Sequence, residues 1–158
     1  MPPATITVYA EPAVLAADDR LVELLDQFLG VELDPAAPGD VDVRDGSCEI
    51  TVDDGRVEVF FMEGTMGAGG VHRDAVQARL RRLHIPYRWS HEIYVGDDGY
   101  AEEYRYWQPG LDREIVRSGD NAVPADFWDE HQHLDDAALG AALRAVMNFT
   151  FDPEPVRA

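Results

Sequence analysis

The stretch from Leu80 to Leu111 constrains the fold of this chain more than any other segment. It holds five of the six tyrosines and two of the three tryptophans. Pro86 disfavours helical backbone at the residue before it, so the preceding helix has to end there. The runs Tyr87 to Val95 and Tyr100 to Gln108 are rich in aromatic and β-branched residues, which favour strands. The Gly-Asp-Asp-Gly segment between the runs is typical of a turn, so this stretch predicts a long β-hairpin.

One face of this hairpin is a candidate pocket if Val95 pairs with Tyr100, because that register gathers the large aromatic side chains there. The same face then carries residues suited to general acid–base chemistry or ligand binding. They are His91, Glu102, Tyr104 and Tyr106. Histidine titrates near neutral pH and a carboxylate can orient it. The alternative is an ordinary aromatic sheet face that packs under a helix.

The hairpin also offers acidic and aromatic side chains for binding a partner. The chosen register sets Arg88 over Trp107 as a cation–π pair and places Glu92 against Glu103, which is mildly unfavourable. The candidates for contact with a basic protein surface are Glu92, Tyr94, Glu102, Glu103 and Trp107.

The net charge is the most unusual property of the composition. The chain has 31 acidic and 13 basic residues, a formal charge of −18, and every basic residue is arginine. Direct binding to nucleic acid is not expected, because phosphate contacts need a basic face. Two explanations stay open: a coding bias that favours Asp and Arg over Lys, or a surface that imitates a polyanion and captures a basic, nucleic-acid-binding protein.

The length of 158 residues predicts a single domain, with a core in residues 1–151 and a frayed tail in residues 152–158. No run approaches the roughly 20 apolar residues of a membrane span, and the first residues do not resemble a signal peptide. Cys48 is the only cysteine, which excludes an intramolecular disulfide and a multi-cysteine zinc site. We therefore expect a cytoplasmic protein without a membrane partner or a cofactor.

The secondary structure follows from periodicity. A strand is predicted from Ala4 to Tyr9, and Asp18 or Asp19 caps a helix that ends at Gly30. The apolar stripe of this helix consists of Leu21, Leu24, Leu25, Phe28 and Leu29. Residues 31–46 are predicted to be an acidic loop, and strands follow at 49–52 and 57–62. In the second of these strands Phe60 and Met62 point away from Val57, Val59 and Phe61, so we expect it to be covered on both faces. A further helix covers residues 71–83.

These elements follow the βαββαβ order of a ferredoxin-like split unit. We therefore predict an α+β fold with an antiparallel sheet of five to six strands and helices mainly on one face. The C-terminal hairpin and two last helices extend this unit. The same fold serves enzymes, small-molecule binders and protein adaptors, so it assigns no function.

Two further motifs bear on chemistry. The glycine-rich segment from Gly64 to Gly70 precedes a helix, but it lacks the phosphate-loop spacing, and we interpret it as a flexible connection rather than an anion site. His131 and His133 form a His-x-His pair next to Glu130, which predicts a metal site only if a distant histidine such as His91 joins them.

Ile85-Pro86-Tyr87, followed by Glu103-Tyr104 and Trp107-Gln108-Pro109-Gly110, resembles small proteins of phages and plasmids from GC-rich bacteria. This resemblance implies no activity. The function we expect is a non-enzymatic acidic binding protein, in its sharpest form an inhibitor that mimics nucleic acid and engages a basic DNA- or RNA-handling protein. The alternatives are a small enzyme or ligand-binding domain with a His/Glu/Tyr pocket, and a metal-binding domain.

Overall fold

The computed structural model describes residues 3–46, 48–62, 71–94, 99–118 and 127–158. The strands in these ranges are β1 (Pro3–Val8), β2 (Val31–Leu33), β3 (Val41–Val43), β4 (Cys48–Asp53), β5 (Arg56–Met62), β6 (Tyr87–Tyr94), β7 (Tyr100–Gln108) and β8 (Leu111–Ser118). The helices are α1 (Pro12–Ala16), α2 (Asp19–Leu29), α3 (Val71–Arg82), α4 (Phe127–His131) and α5 (Asp136–Met147).

Six of the strands form one antiparallel sheet in the order β4-β5-β1-β6-β7-β8. The first four strands of that order, together with α2 and α3, make up the predicted βαββαβ unit. The strands β7 and β8 extend the sheet beyond β6. The predicted α+β fold is therefore confirmed. Residues 31–46 differ from the predicted loop, because β2 and β3 pair as a small separate sheet whose Val31 and Leu33 are buried in the core.

We call the side of the large sheet that lies under α2 and α3 the first face. Over β5, β1 and the first half of β6 it is apolar, and its buried members there are Ala4, Ile6, Val8, Val57, Val59, Phe61, Tyr87 and Trp89. Burial of one such side chain contributes roughly 1.5–3 kcal/mol, so this face supplies most of the hydrophobic stabilisation.

The helix α2 shows why the layer above the first face forms where it does. The four leucines of its apolar stripe are buried, and Phe28 is partly buried against the core. Gly30 ends the helix with a left-handed backbone at φ 66°. Asp18 caps its start by accepting a hydrogen bond of 2.8 Å from the Leu21 backbone N–H. The same carboxylate binds Arg79 of α3 at 2.9 and 2.5 Å, which joins the two helices. The predicted cap, stripe and terminator are confirmed.

The second face is the opposite side of the sheet, and the C-terminal region covers part of it. Tyr106 of β7 contacts Phe149 and Phe151, with ring centroids 5.0 and 5.3 Å apart. Ile115 of β8 is buried beside Phe127 of α4 and Val146 of α5. On the second face, the segment after α5 therefore covers β7, and the two C-terminal helices lie beside β8.

The strand β5 lies inside the sheet as predicted, but its second face is open. Phe60 is 41% exposed and Met62 is 38% exposed, whereas Phe61 between them is 1% exposed. The expectation that this strand is covered on both faces was wrong. The C-terminal residues that cover part of this side lie at the other end of the sheet, with Phe149 on β7 and the two helices beside β8.

The last residues also differ from the predicted frayed tail. Val156 forms a parallel bridge with Ala10, and its backbone exchanges hydrogen bonds of 3.0 Å with Tyr9 and Glu11. Arg157 pairs with Glu11 and Asp54, both at 3.2 Å. Prolines 153 and 155 lack an N–H, but Val156 supplies the donor and acceptor that dock the tail. The extent of the domain, residues 1–151, stays a prediction.

Within the ranges given above, no helix has the length and apolar character needed to cross a membrane.

Candidate functional site

The register of the central hairpin decides which candidate residues meet. In the structure Tyr94 pairs with Tyr100, so the predicted pairing of Val95 with Tyr100 was wrong by one residue. Because side chains alternate between faces, this shift changes every cross-strand partner. His91 now lies opposite Glu103, and Glu92 lies opposite Glu102.

Packing on both faces accounts for the observed register. On the first face Tyr87 stacks on Trp107, with centroids 5.9 Å apart and an interplanar angle of 17°. On the second face Tyr106 meets the phenylalanines of the C-terminal segment. The predicted cation–π pair between Arg88 and Trp107 is therefore wrong, because the two residues lie on opposite faces. Arg88 instead donates to Thr7 at 3.3 Å.

The four catalytic candidates do not share a pocket. His91 lies on the first face, whereas Glu102, Tyr104 and Tyr106 lie on the second. Tyr104 stacks on Tyr106 and donates a hydrogen bond from its hydroxyl to Glu102. Burial, and then this hydrogen bond, raise the pKa of Tyr104 to about 12. A phenol held protonated beside a carboxylate stabilises the sheet surface but supplies no base at neutral pH.

The binding candidates are divided in the same way. Glu103 and Trp107 lie on the first face, where Glu103 sits 3.7 Å from His91 Nε2 and Trp107 packs on Tyr87. Glu92 and Glu102 stand directly opposite each other on the second face. Tyr94 ends the same strand pair opposite Tyr100. The acidic and aromatic residues predicted as a binding surface therefore lie on two opposite faces of the hairpin.

An uncovered area of the second face brings acidic and apolar side chains together. We call it the open patch and define it by Glu49, Phe60, Met62, Glu92 and Glu102. Phe60 pairs with Glu49 of β4 on one side and with Thr5 of β1 on the other. Thr5 in turn pairs with Ser90 of β6. Neighbouring strands are about 4.8 Å apart, so the patch spans most of the sheet width.

The carboxylates of the open patch are not neutralised within the described part of the chain, where Glu49, Glu92 and Glu102 make no ion pair. Arg117 of β8 pairs in register with Glu102, but its guanidinium lies over the Tyr104 ring at 5.7 Å. Glu58, one row away, differs, because it pairs with Arg88 at 3.6 Å. The patch therefore combines three carboxylates that make no ion pair among the described residues with two exposed apolar side chains on the same face.

The metal candidates have structural roles or lie apart. His131 Nδ1 is 2.7 Å from the Phe127 carbonyl oxygen, and its ring stacks on Phe127 at 4.4 Å. His133 is exposed. The described residues contain no group of three or more His, Cys, Asp and Glu side chains that could hold a metal ion. The glycine-rich segment from Gly64 to Gly70, which the sequence predicted to be a connection rather than an anion site, lies outside the described residues.

Sequence reasoning missed Phe60 and Glu49 as surface residues, and it did not single out Trp89 as a polar group. The signal for Phe60 was present, because Phe60 and Phe61 are adjacent and must face opposite sides of a strand. Which of the two is buried depends on which face of the sheet α2 and α3 cover.

Comparison of the chain with protein-family models, with curated proteins and with solved structures finds no match.

Proposed function

We propose that this protein is a non-enzymatic acidic binding protein whose open patch engages a basic surface of another protein. One observation carries the proposal: Glu92 and Glu102 stand opposite each other without an ion pair among the described residues, on the same face of the sheet as the exposed side chains of Phe60 and Met62. Like charges directly opposite on paired strands cost roughly 0.2–1 kcal/mol. An arginine or lysine from a partner would remove that cost.

The layout of the patch supports the same interpretation. Protein interfaces commonly have an apolar centre and a polar rim, and buried aromatic side chains dominate their binding energy. Phe60 and Met62 supply the apolar part, and Glu49, Glu92 and Glu102 supply the rim. A second copy of this chain is a poor occupant, because each copy carries a charge of −18 and the carboxylates would face one another.

The negative net charge also favours a basic partner. A strongly acidic protein attracts basic proteins over a distance of about 8 Å at physiological salt, and such steering raises association rates. Many basic surfaces exist to contact nucleic acid. The narrower form of the proposal is an inhibitor of the phage or plasmid type that occupies such a surface in the cytoplasm and competes with DNA or RNA.

The test is affinity capture from the lysate of the native host with three baits: the wild type, Glu92→Lys/Glu102→Lys, and the control Glu32→Lys/Asp40→Lys. Glu32 and Asp40 are exposed and lie outside the patch, and both double variants change the net charge by the same amount. We expect the wild type and the control to enrich one basic protein that added duplex DNA or rising salt releases. The patch variant should lose it.

Two results would contradict the proposal. Equal capture by the patch variant would show that the patch does not bind. Equal loss in the control would show that overall charge, and not this surface, holds the partner. Circular dichroism of each bait establishes beforehand that the substitutions leave the fold intact.

A further inference from the structure

The tail, residues 152–158, occupies its surface in the way that an extended peptide occupies a binding groove. The Val156 backbone N–H donates a hydrogen bond to the Tyr9 carbonyl oxygen, and the Val156 carbonyl oxygen accepts one from the Glu11 N–H, both at 3.0 Å. Ala10 between them forms a parallel bridge with Val156. Peptides that add to a strand bind through such backbone contacts. We call the receiving surface the tail groove, and it consists of Tyr9, Ala10, Glu11, Asp54 and Gly55.

Two side chains of this segment meet parts of the groove that fit their shape. Pro155 lies against Gly55, where a Cβ atom on the glycine would come within 2.7 Å of the Pro155 Cβ. Gly55 also has a left-handed φ of 76°, so the position needs glycine for two reasons. Just before the tail, the Phe151 ring packs edge-on against Tyr9 with centroids 5.4 Å apart. The groove therefore has separate contacts for an aromatic side chain and for a proline.

The groove takes a cation at one position. The Nη1 atom of Arg157 is 3.2 Å from both Glu11 Oε1 and Asp54 Oδ1. Glu11 precedes α1, but its side chain makes no capping hydrogen bond among the described residues. Its second carboxylate oxygen accepts from the Ala158 backbone N–H at 3.4 Å, so both oxygens contact the tail. A peptide with an arginine here meets two carboxylates, whereas an acidic side chain would be repelled by both.

The contacts that hold the tail are exposed and incompletely packed. The side chain of Arg157 is 50% exposed and that of Asp54 is 81% exposed, and ion pairs so open to water contribute little to stability. A cavity of about 310 Å³ lies between the tail and the turn from β4 to β5. Segments with few buried apolar contacts open locally while the rest of the protein stays folded. We therefore expect the tail to exchange between a docked and an undocked state.

We infer that the tail groove is a binding site for an extended peptide with the order proline, β-branched residue, arginine, and that the tail occupies this site in cis. The segment seated in the groove shows the chemistry of the occupant, because its proline, its backbone pair and its arginine each have a contact of their own. A segment of another protein with this order would compete with the tail. The groove shares no residue with the open patch and binds its peptide whether or not the patch has a partner.

Binding of a synthetic peptide in trans tests this inference on the whole chain. The probe is a fluorescent peptide with the sequence of residues 149–158, and its fluorescence anisotropy reports binding. In the wild type the linked tail has an effective concentration in the millimolar range, so the probe should bind weakly. Val156→Pro/Arg157→Glu removes the backbone donor and the cation that dock the tail, so this released variant should bind the probe at least tenfold more tightly, roughly the factor by which the linked tail competes. Faster hydrogen exchange at the Glu11 amide should accompany the release.

Two further changes, made with the released variant, test the role of the arginine. A probe with Arg157→Glu should bind about tenfold more weakly, and so should the original probe when Glu11→Lys is added to the protein. Glu32→Lys, an equal charge change at an exposed position outside the groove, is the matched control and should leave binding unchanged. Equal affinity for both probes, or equal affinity of the wild type and the released variant, would overturn the inference. So would a Glu11 amide that stays protected in the released variant.

Discussion

The two faces of the large sheet are built from the same strands, yet they carry different kinds of side chain. On β5, Phe61 points to the first face and is 1% exposed, whereas its neighbour Phe60 points to the second face and is 41% exposed. On β6, Tyr87 and Trp89 are buried on the first face, whereas Glu92 on the second face stands opposite another glutamate. Because side chains alternate along a strand, neighbouring residues point to opposite faces, and only those on the first face are packed into the core at these positions.

The difference in burial between the two faces indicates which side of the sheet is accessible to a partner. The first face shows the dense apolar packing of a protein core, and a polar substitution there costs stability directly. The open patch of the second face contributes little to the core, so folding does not explain its carboxylates without ion pairs or its exposed Phe60. We propose recognition of a partner as the role of this patch.

Truncation of each of the two adjacent phenylalanines of β5 should give the largest difference in stability between the two faces. Phe61→Ala should lower the free energy of unfolding by about 3–5 kcal/mol, because it leaves a cavity under the helices. Phe60→Ala should cost less than about 1 kcal/mol, because the side chain is partly in water already. Urea unfolding followed by circular dichroism measures both values. Equal losses would mean that the second face is packed as tightly as the first.

The helices that cover the first face are joined by an ion pair whose contribution to stability depends on pH. The hydrogen bond from Arg79 lowers the pKa of Asp18 below its ordinary value of 3.8. The stabilisation is therefore complete above about pH 4 and is lost as the pH falls through the lower folded-state pKa. Asp18→Asn keeps the helix cap but loses the charge, so we expect a cost of roughly 1–2 kcal/mol at neutral pH.

Unfolding measured from pH 7 downward checks this expectation. The gap between wild type and Asp18→Asn should narrow in acid, while Asp19→Asn, at a neighbouring exposed carboxylate, should behave like the wild type throughout. A gap that stays constant with pH would show that the Arg79 pair does not carry the effect.

Relief of repulsion on the open patch should stabilise the protein slightly. Glu92→Gln removes one of two facing carboxylates, so the unfolding free energy should rise by about 0.3 kcal/mol at low salt. The rise should vanish in about 1 M salt, where the screening length falls to about 3 Å. Glu49→Gln, opposite Phe60 and not another acid, serves as the control. A loss of stability in Glu92→Gln would mean that this carboxylate has a stabilising partner.

The smallest expected effect concerns Tyr104 on the second face. Burial and the bond to Glu102 raise its pKa to about 12, so the stability it contributes is present below pH 10 and is lost as the pH rises toward 12. Glu102→Gln should lower this pKa but not restore it to 10, because burial is the larger cause. Ultraviolet titration of phenolate, with Tyr104→Phe to assign the signal, measures the change. An unchanged titration in Glu102→Gln would exclude the hydrogen bond as a cause.

Local patterns were sufficient to predict most of the secondary structure and the antiparallel α+β fold. The stripe of α2, its cap at Asp18 and its end at Gly30 depend on neighbouring residues only, so they are readable from the sequence. The βαββαβ order followed once these elements were placed. The same reasoning predicted strands 49–52 and 57–62 within one residue of the observed β4 and β5.

Long-range packing determines the hairpin register and the position of the C-terminal tail, which local sequence patterns could not predict. The hairpin register depends on Phe149 and Phe151, which reach back to Tyr106 from the other end of the chain. The docking of the tail depends on Val156 meeting the backbone beside Ala10. Neither contact leaves a local pattern, and a shift of one residue was enough to separate His91 from Glu102, Tyr104 and Tyr106.

We propose that the second face recognises a partner while the first face stabilises the fold, and Phe60→Ala separates these two roles. The control is Val52→Ala, which removes another exposed apolar side chain, 47% exposed, outside the patch. The account predicts that Phe60→Ala unfolds nearly like the wild type but retains at least about tenfold less of the captured partner, as loss of an aromatic anchor does. Val52→Ala should retain it fully. Undiminished capture by Phe60→Ala would contradict the account.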